Sequence, residues 1–299
     1  MKYTAVFKQL CPHGGAKQEF KLLFSGHSIG ENMVEEIVSL DSNEQIGKDI
    51  WRMEFHSTPL SSLARPGHFL MIHLGKRTQD PLLRRPFSIH GILDDQTVQV
   101  LYRVVGRGTS LLSTLKKGDP LSAIGPLGNG FPLPAQGEEA VLVAGGMGIA
   151  PLYFLAQTLR RNQGQTTTVL LGFSTSEEVV CSGELKALGV QVSLATEDGS
   201  LGSKGLVTDL LDQYLRHGFA AKPIIYACGP PLMLKKVAEQ AAASHLSCSV
   251  SLEGHMACGL GICLGCAVKA SHNLAKVYHY VCQDGPVFPA ETIDWEAVQ

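Results

Sequence analysis

The sequence has no surplus of charge of either sign. Across 299 residues it sets 25 Lys and Arg against 27 Asp and Glu, a net charge of −2, with no basic block. Nucleic acid is bound largely by neutralising phosphate, so it is excluded as a partner. A secretory leader is also missing, because Met1-Lys2 runs into mixed polar residues with no apolar core. Nor is there a run long enough to span a membrane. The longest uncharged stretch, Ala140 to Ala156, is too short and holds Gly145, Gly146, Gly148 and Pro151. It reads as strand, turn and helix. Nothing in the chain marks an oxidising compartment, so disulfides are poor candidates and a reducing cytoplasm is expected.

What is present is a globular composition. Apolar residues make up 44% and charged residues 17%, which excludes a disordered chain and leaves length for two or three domains.

Four of the eight cysteines fall between Glu253 and Phe288. Cys258, Cys263 and Cys266 follow C-x4-C-x2-C, and fifteen residues separate Cys266 from Cys282. This is the ligand spacing of a plant-type [2Fe–2S] cluster. Two bridged irons need four thiolates converging from one loop, and Gly259, Gly261 and Gly265 let that loop turn tightly. A hairpin, Ala267–Lys269 out and Val277–Val281 back, would return Cys282 to the others. A structural zinc site also uses four thiolates, usually as two C-x2-C pairs, and here there is one pair and two single cysteines. A zinc-bearing interaction module would leave the glycine-rich loops described next without a role.

Residues 1–33 form an extension of unknown role. Cys11 and His13 within it are too few to define a metal site, and a loosely docked terminus is the simpler reading. Residues 34–134 show six short strands between turn residues: Val34–Leu40, Ile50–Phe55, Phe69–Leu74, Phe87–Leu93, Thr97–Val104 and Pro120–Ile124. That spacing predicts a small antiparallel barrel. Two of its features suit a dinucleotide such as FAD. Arg84 and Arg85 would form a cationic fork beside Ser88, and Gly106 to Thr109 would open a helix running to Lys117.

Residues 135–247 alternate strand and helix, which predicts a doubly wound parallel sheet. The loop Gly145-Gly146-Met147-Gly148 follows its first strand, where a pyrophosphate would meet a helix N-terminus. The motif is not a full G-x-G-x-x-G, so its position carries the nucleotide reading. Cys228 and Gly229, after a later strand, would edge the same crevice. Glu177 and Glu178 follow the second strand in a stretch, Gly172 to Val180, without Arg or Lys. A 2′-phosphate would want a cation there, so NAD is expected over NADP. Residues 248–299 would form the cluster domain.

RRPFS, GRGTSLL, GPLGNGF, VAGGMGIAP, ACGPPLM, EGHMACGLGICLGC and VCQDGPVF occur in that order. From about Val34 to Trp295 the chain resembles the electron transfer subunits of NAD-dependent (class 1B) dihydroorotate dehydrogenase, within the ferredoxin–NADP reductase superfamily. The resemblance implies FAD in the barrel, NAD on the α/β domain and a [2Fe–2S] cluster near the C-terminus. It also implies a separate FMN-containing subunit that oxidises dihydroorotate in pyrimidine biosynthesis, with two copies of each subunit in a heterotetramer. Carried over by motif, Arg85, Pro86, Phe87 and Ser88 would contact FAD, with Ser88 the catalytic-site hydroxyl near the flavin ring. Gly108 and Thr109 would hold the pyrophosphate. Phe87 stands where the wider superfamily often has Tyr. A ferredoxin-linked transhydrogenase or hydrogenase diaphorase subunit would share the three sites, but RRPFS and VCQDGPVF favour the first family.

Overall fold

Short apolar segments between turn residues set up the first half of the chain as strands around a core. In Pro120–Leu127 every second side chain is buried, the period expected when one face meets a core. The computed structural model describes residues 33–73, 81–93, 96–135, 137–161, 165–219 and 221–298. Cys11 and His13 lie outside these residues.

The first elements are β1 (Val34–Gly47), β2 (Ile50–His56), α1 (Thr58–Leu63), β3 (Phe69–His73), β4 (Arg85–Ile92), β5 (Thr97–Arg103), α2 (Arg107–Leu112) and β6 (Pro120–Leu127). The six strands close into a barrel in the order β1-β2-β5-β4-β3-β6, and every pair is antiparallel. Leu40, Met53, Phe55, Ile72, Ile89 and Leu121 fill its interior. Helix α2 is shorter than the expected run to Lys117. Ser113 and Thr114 donate their hydroxyls back to the carbonyls of Ser110 (2.8 Å) and Leu111 (2.7 Å), which favours a turn over continued helix.

The second half runs β7 (Glu139–Gly145), α3 (Ile149–Arg161), β8 (Thr167–Phe173), α4 (Ser182–Ala187), β9 (Gln191–Thr196), β10 (Ser203–Lys204), α5 (Val207–His217), β11 (Pro223–Cys228), α6 (Pro231–Ala243) and β12 (Cys248–Ser251). It ends with β13 (Ala267–Lys269), β14 (Tyr278–Tyr280) and β15 (Val287–Pro289). The sheet order is β10-β9-β8-β7-β11-β12-β15, and β15 is the one antiparallel strand. Ala140 to Ala144 are buried on both faces, as central parallel strands covered by helices must be. Strands β12 and β15 flank the cysteine segment, which is therefore built onto the edge of this sheet. Strands β13 and β14 pair as the small hairpin expected between Cys266 and Cys282.

Helix α3 joins barrel and sheet. Its Arg161 donates to the Ile92 carbonyl at 3.1 Å, and Gln157 Oε1 accepts from the Ile92 N–H at 3.3 Å. His90 of β4 stacks on Tyr153 with ring centres 4.4 Å apart, and its Nδ1 meets the Ala150 carbonyl at 3.1 Å. Its Nε2 faces Cys181 Sγ at 3.8 Å. His90, Cys181 and Glu184 bring ligand-type atoms within 4.8 Å of one another. Arg52, however, takes the Glu184 carboxylate at 2.7 Å. Burial lowers His90 to about 4 and raises Cys181 to about 12, so the pair is neutral at pH 7. The trio serves the junction between barrel and sheet. Among the described residues no helix is long and apolar enough to cross a membrane.

Candidate functional site

Arg84 just precedes β4 and Arg85 opens it, and the barrel separates the two. Arg84 lies against β1 and β6. It pairs with Glu35 at 2.6 Å and donates to the Ser122 carbonyl at 2.9 Å. The expected arginine fork is therefore not formed, because Arg84 is used by β1 and β6. Arg85 points the other way, donating to the Leu83 carbonyl and lying across Gly108. A Cβ at Gly108 would sit 3.0 Å from Arg85 Nε, so the two motifs lie in close contact and a larger residue would push the Arg85 side chain aside. The two segments singled out in the sequence thus meet. Pro86, Phe87 and Ser88 continue along β4, opposite Met71, Leu70 and Phe69 of β3. Phe87 packs edge-on against Tyr102 at 5.9 Å. Thr109 Oγ1 accepts from the N–H groups of Val105 (2.9 Å) and Gly106 (3.1 Å), so this hydroxyl shapes the loop itself.

The second site lies where the sheet order reverses direction. Strands β7 and β11 are neighbours at its centre, and the loops beyond their C-terminal ends touch. A side chain at Gly148 would run into the Cys228 carbonyl. Gly145 likewise abuts Met233 and Pro230. Gly146 stands at φ +52° in the single 3-10 turn that leads into α3. A groove of about 1210 Å³ opens here, lined among others by Gly146, Gly148, Glu178, Gly229, Glu253 and Cys266. Burial raises the pKa of Cys228, leaving a neutral thiol beneath the groove.

Arg103 of β5 also lines this groove, contributed by the barrel. Its Nη2 meets Glu178 at 3.1 Å, while Lys48 meets Glu177 at 3.1 Å. The stretch after β8 therefore has cations beside it even though it contains none. Inspection of that stretch alone could not find Arg103, which is 75 residues away in sequence. Glu253 was missed as a groove residue too. Its position just past β12 would have been a signal had that strand been recognised.

The four cysteines of the third site come together as two pairs, Cys258 with Cys263 and Cys266 with Cys282. Cys266 and Cys282 have their sulfurs 3.2 Å apart. Backbone N–H groups point at the thiols: Leu260 and Cys263 donate to Cys258 (3.3 and 3.5 Å), Gly261 to Cys282 (3.2 Å), and Cys282 to Cys266 (3.4 Å). Backbone N–H groups, chiefly that of Gly265, lower the Cys263 thiol. A hydrogen bond from Cys282 lowers Cys266 to about 6 and raises Cys282 itself, as expected of two thiols holding one proton. Thiols brought together, two of them (Cys263 and Cys266) shifted toward ionisation, with N–H donors aimed at sulfur, fit an iron–sulfur cluster.

Comparison with known proteins places these sites in a family. Residues 253–294 match the model of the iron-sulfur cluster binding domain of dihydroorotate dehydrogenase B, and residues 142–239 match the oxidoreductase NAD-binding domain. The dihydroorotate dehydrogenase B (NAD(+)) electron transfer subunit of Desulforamulus reducens is 41% identical over 252 residues, covering 84% of this chain and 95% of the relative. The chain belongs to this family of electron transfer subunits. The corresponding subunits of Caldanaerobacter subterraneus and Fusobacterium nucleatum are 39% and 35% identical, covering 84% and 86% of this chain and 95% and 98% of their own lengths.

Among solved structures, a chain of the NADH-dependent reduced ferredoxin–NADP oxidoreductase studied for electron bifurcation superposes with a TM-score of 0.76. It is 29% identical and covers 92% of this chain and 93% of its own. A ferredoxin–NADP reductase from Neisseria gonorrhoeae, at 18% identity and a TM-score of 0.59, covers 72% of this chain and 92% of its own and shares the fold. An electron transfer subunit needs its one-electron and two-electron sites close together. Here the cluster segment and the nucleotide groove share Cys266 as a lining residue.

Proposed function

We propose that this chain carries electrons from a dihydroorotate-oxidising partner subunit to NAD+, using a [2Fe–2S] cluster and FAD, in the cytoplasm. The observation that carries the reading is the four-thiol seat, with Cys266 and Cys282 sulfurs 3.2 Å apart and N–H donors directed at the sulfurs. When bound, the cluster passes single electrons, FAD gathers two, and NAD+ accepts them as a hydride.

The residues divide the work. Cys258, Cys263, Cys266 and Cys282 hold the cluster. Arg85 supplies charge to the FAD pyrophosphate, beside Gly108 and the loop shaped by Thr109. Pro86, Phe87 and Ser88 edge the flavin, with Ser88 placed to hydrogen-bond the ring. Gly145, Gly146 and Gly148 let the NAD pyrophosphate approach the backbone, and Cys228 with Gly229 forms the opposite lip.

Among the described residues the assigned sites account for FAD, NAD and the cluster, and a partner subunit supplies the electrons. That partner is an FMN-containing subunit, two copies of each chain forming the complex. The isolated chain is expected to reduce dyes with NADH and to leave dihydroorotate untouched. Mixed with the partner, it forms a stable complex that couples dihydroorotate oxidation to NAD+ reduction. Cys258→Ser removes the coupled rate and spares each half-reaction with dyes. Dihydroorotate-dependent NADH formation by the isolated chain, or no association at micromolar concentration, contradicts the reading.

A further inference from the structure

The cysteine segment leaves the sheet at β12 and returns at β15, so its chain connections run to the nucleotide-binding half. Two contacts tie it instead to the barrel. The first is made by Met71, in the middle of β3 and fully buried. Gly259, the residue after ligand Cys258, has φ +71° and rests directly on this side chain. A Cβ there would come within 2.8 Å of Met71 Sδ and nearer still to Cγ. In the strand register Met71 pairs with Pro86, and Ile72, Leu70 and Phe69 of the same strand pair with Arg85, Phe87 and Ser88. One side chain therefore packs against the cluster loop from a position opposite the flavin strand.

The second contact is made by Asn129, in the turn just after β6, the barrel neighbour of β3. Its backbone N–H donates to the Gly285 carbonyl at 2.6 Å. Its side-chain Nδ2 donates to the carbonyls of Gln283 (3.1 Å) and Asp284 (2.9 Å). These are the residues immediately following ligand Cys282. Gln283 in turn packs on Gly261, where a Cβ would lie 2.6 Å from its Oε1. The Gly261 N–H donates to Cys282 Sγ at 3.2 Å. Met71 thus anchors the half of the seat around Cys258, and Asn129 anchors the half around Cys282.

We propose that Met71 and Asn129, which are neither cluster ligands nor flavin-motif residues, are positioning residues that hold the cluster seat against the flavin barrel and so set the separation across which electrons pass. This rests on the cluster and flavin assignment above. Single-electron transfer falls steeply as the gap between donor and acceptor widens, and a loop with glycines at 259, 261 and 265 has little stiffness of its own. Met71 is unbranched and fills an irregular gap that a shorter side chain would leave open. Asn129 supplies the two N–H bonds that fix the carbonyls after Cys282, and alanine would leave those carbonyls to water.

The test uses the full chain purified anaerobically with its cofactors, as Met71→Leu and Asn129→Ala. Iron, sulfide and FAD per chain should match the unaltered protein, and the rate at which NADH reduces the flavin should be unchanged. The following reduction of the cluster should slow by about tenfold, within the hundredfold or so that a misplacement of about 1 Å can cost. The paramagnetic resonance spectrum of the reduced cluster should also shift. An unchanged cluster rate and spectrum in either variant overturns the proposal. Loss of iron from either variant also overturns it, since the residue would then build the seat instead of positioning it. Absence of cluster or flavin from the unaltered protein is a separate result, and would refute the functional assignment itself.

Discussion

Arg103 of β5 and Glu178 of the turn after β8 meet at 3.1 Å on the wall of the nucleotide groove. The guanidinium comes from the barrel and the carboxylate from the sheet. Arg103 Nε is buried and has no hydrogen-bond partner among the described residues. Arg103 is the cation that a 2′-phosphate would seek, and Glu178 holds it.

The nucleotide preference follows from this pair. NADH should be used in preference to NADPH, since a phosphate would have to displace Glu178. In Glu178→Gln the guanidinium is released, and the ratio of kcat/KM for NADH to that for NADPH should fall by about tenfold, the worth of one charge-assisted contact. An unchanged ratio would mean that Arg103 does not face the ribose.

Arg85→Ala should weaken FAD retention by about 1.5–3 kcal/mol, because it removes a charged donor beside Gly108. Arg84→Ala should instead lower stability through the lost contacts to Glu35 and Ser122, with FAD affinity little changed. FAD titration of the two deflavinated variants, alongside their melting curves, separates the roles. Equal FAD affinities would remove Arg85 from the site.

Much of this arrangement was legible before the fold was known, and the reason differs by element. The barrel strands are short and set apart by turn residues, with β6 alternating strictly, and the central strands of the sheet are continuous apolar runs, a direct consequence of burial. The cysteine spacing is local, so the candidate ligand set could be proposed from the segment itself. What could not be read depended on long-range pairing. Strand β12 is four residues long and gains its identity by pairing with β11, while β15 joins it only after the intervening cysteine segment. The fork of Arg84 and Arg85 failed because β1 and β6 supply partners for one arginine alone. Helix α1 did carry a local signal: Ser57 caps the Leu60 N–H at 3.2 Å, with Pro59 in the first turn.

Stability should depend on acid through His90. It is fully buried, and desolvation lowers it to about 4 from 6.5. Above about pH 6.5 the imidazole is neutral folded or unfolded. As pH falls from there toward 4 the unfolded chain takes up a proton that the folded chain refuses, so stability is lost. The loss should reach about 3 kcal/mol near pH 4. Denaturation of the protein and of His90→Gln, compared between pH 7 and pH 4.5, should show the smaller pH dependence in the variant. Identical slopes would mean that His90 does not titrate as its burial implies.

Cys263→Ser and Cys282→Ser should each lose the cluster while NADH oxidation by dyes persists, because the nucleotide groove and the flavin strand are built from other residues. Iron analysis with a dye assay decides this. Full iron content in both variants would refute the ligand assignment.

Electrons should pass between NADH, flavin and cluster within this one chain. Anaerobic titration of the purified protein with NADH, followed by visible absorption and paramagnetic resonance together, measures this directly. Flavin bands should bleach, and a reduced [2Fe–2S] signal should grow with them, in the chain alone and without any partner. Zinc in place of iron, no flavin bands, or a cluster that stays oxidised after the flavin is reduced would contradict it.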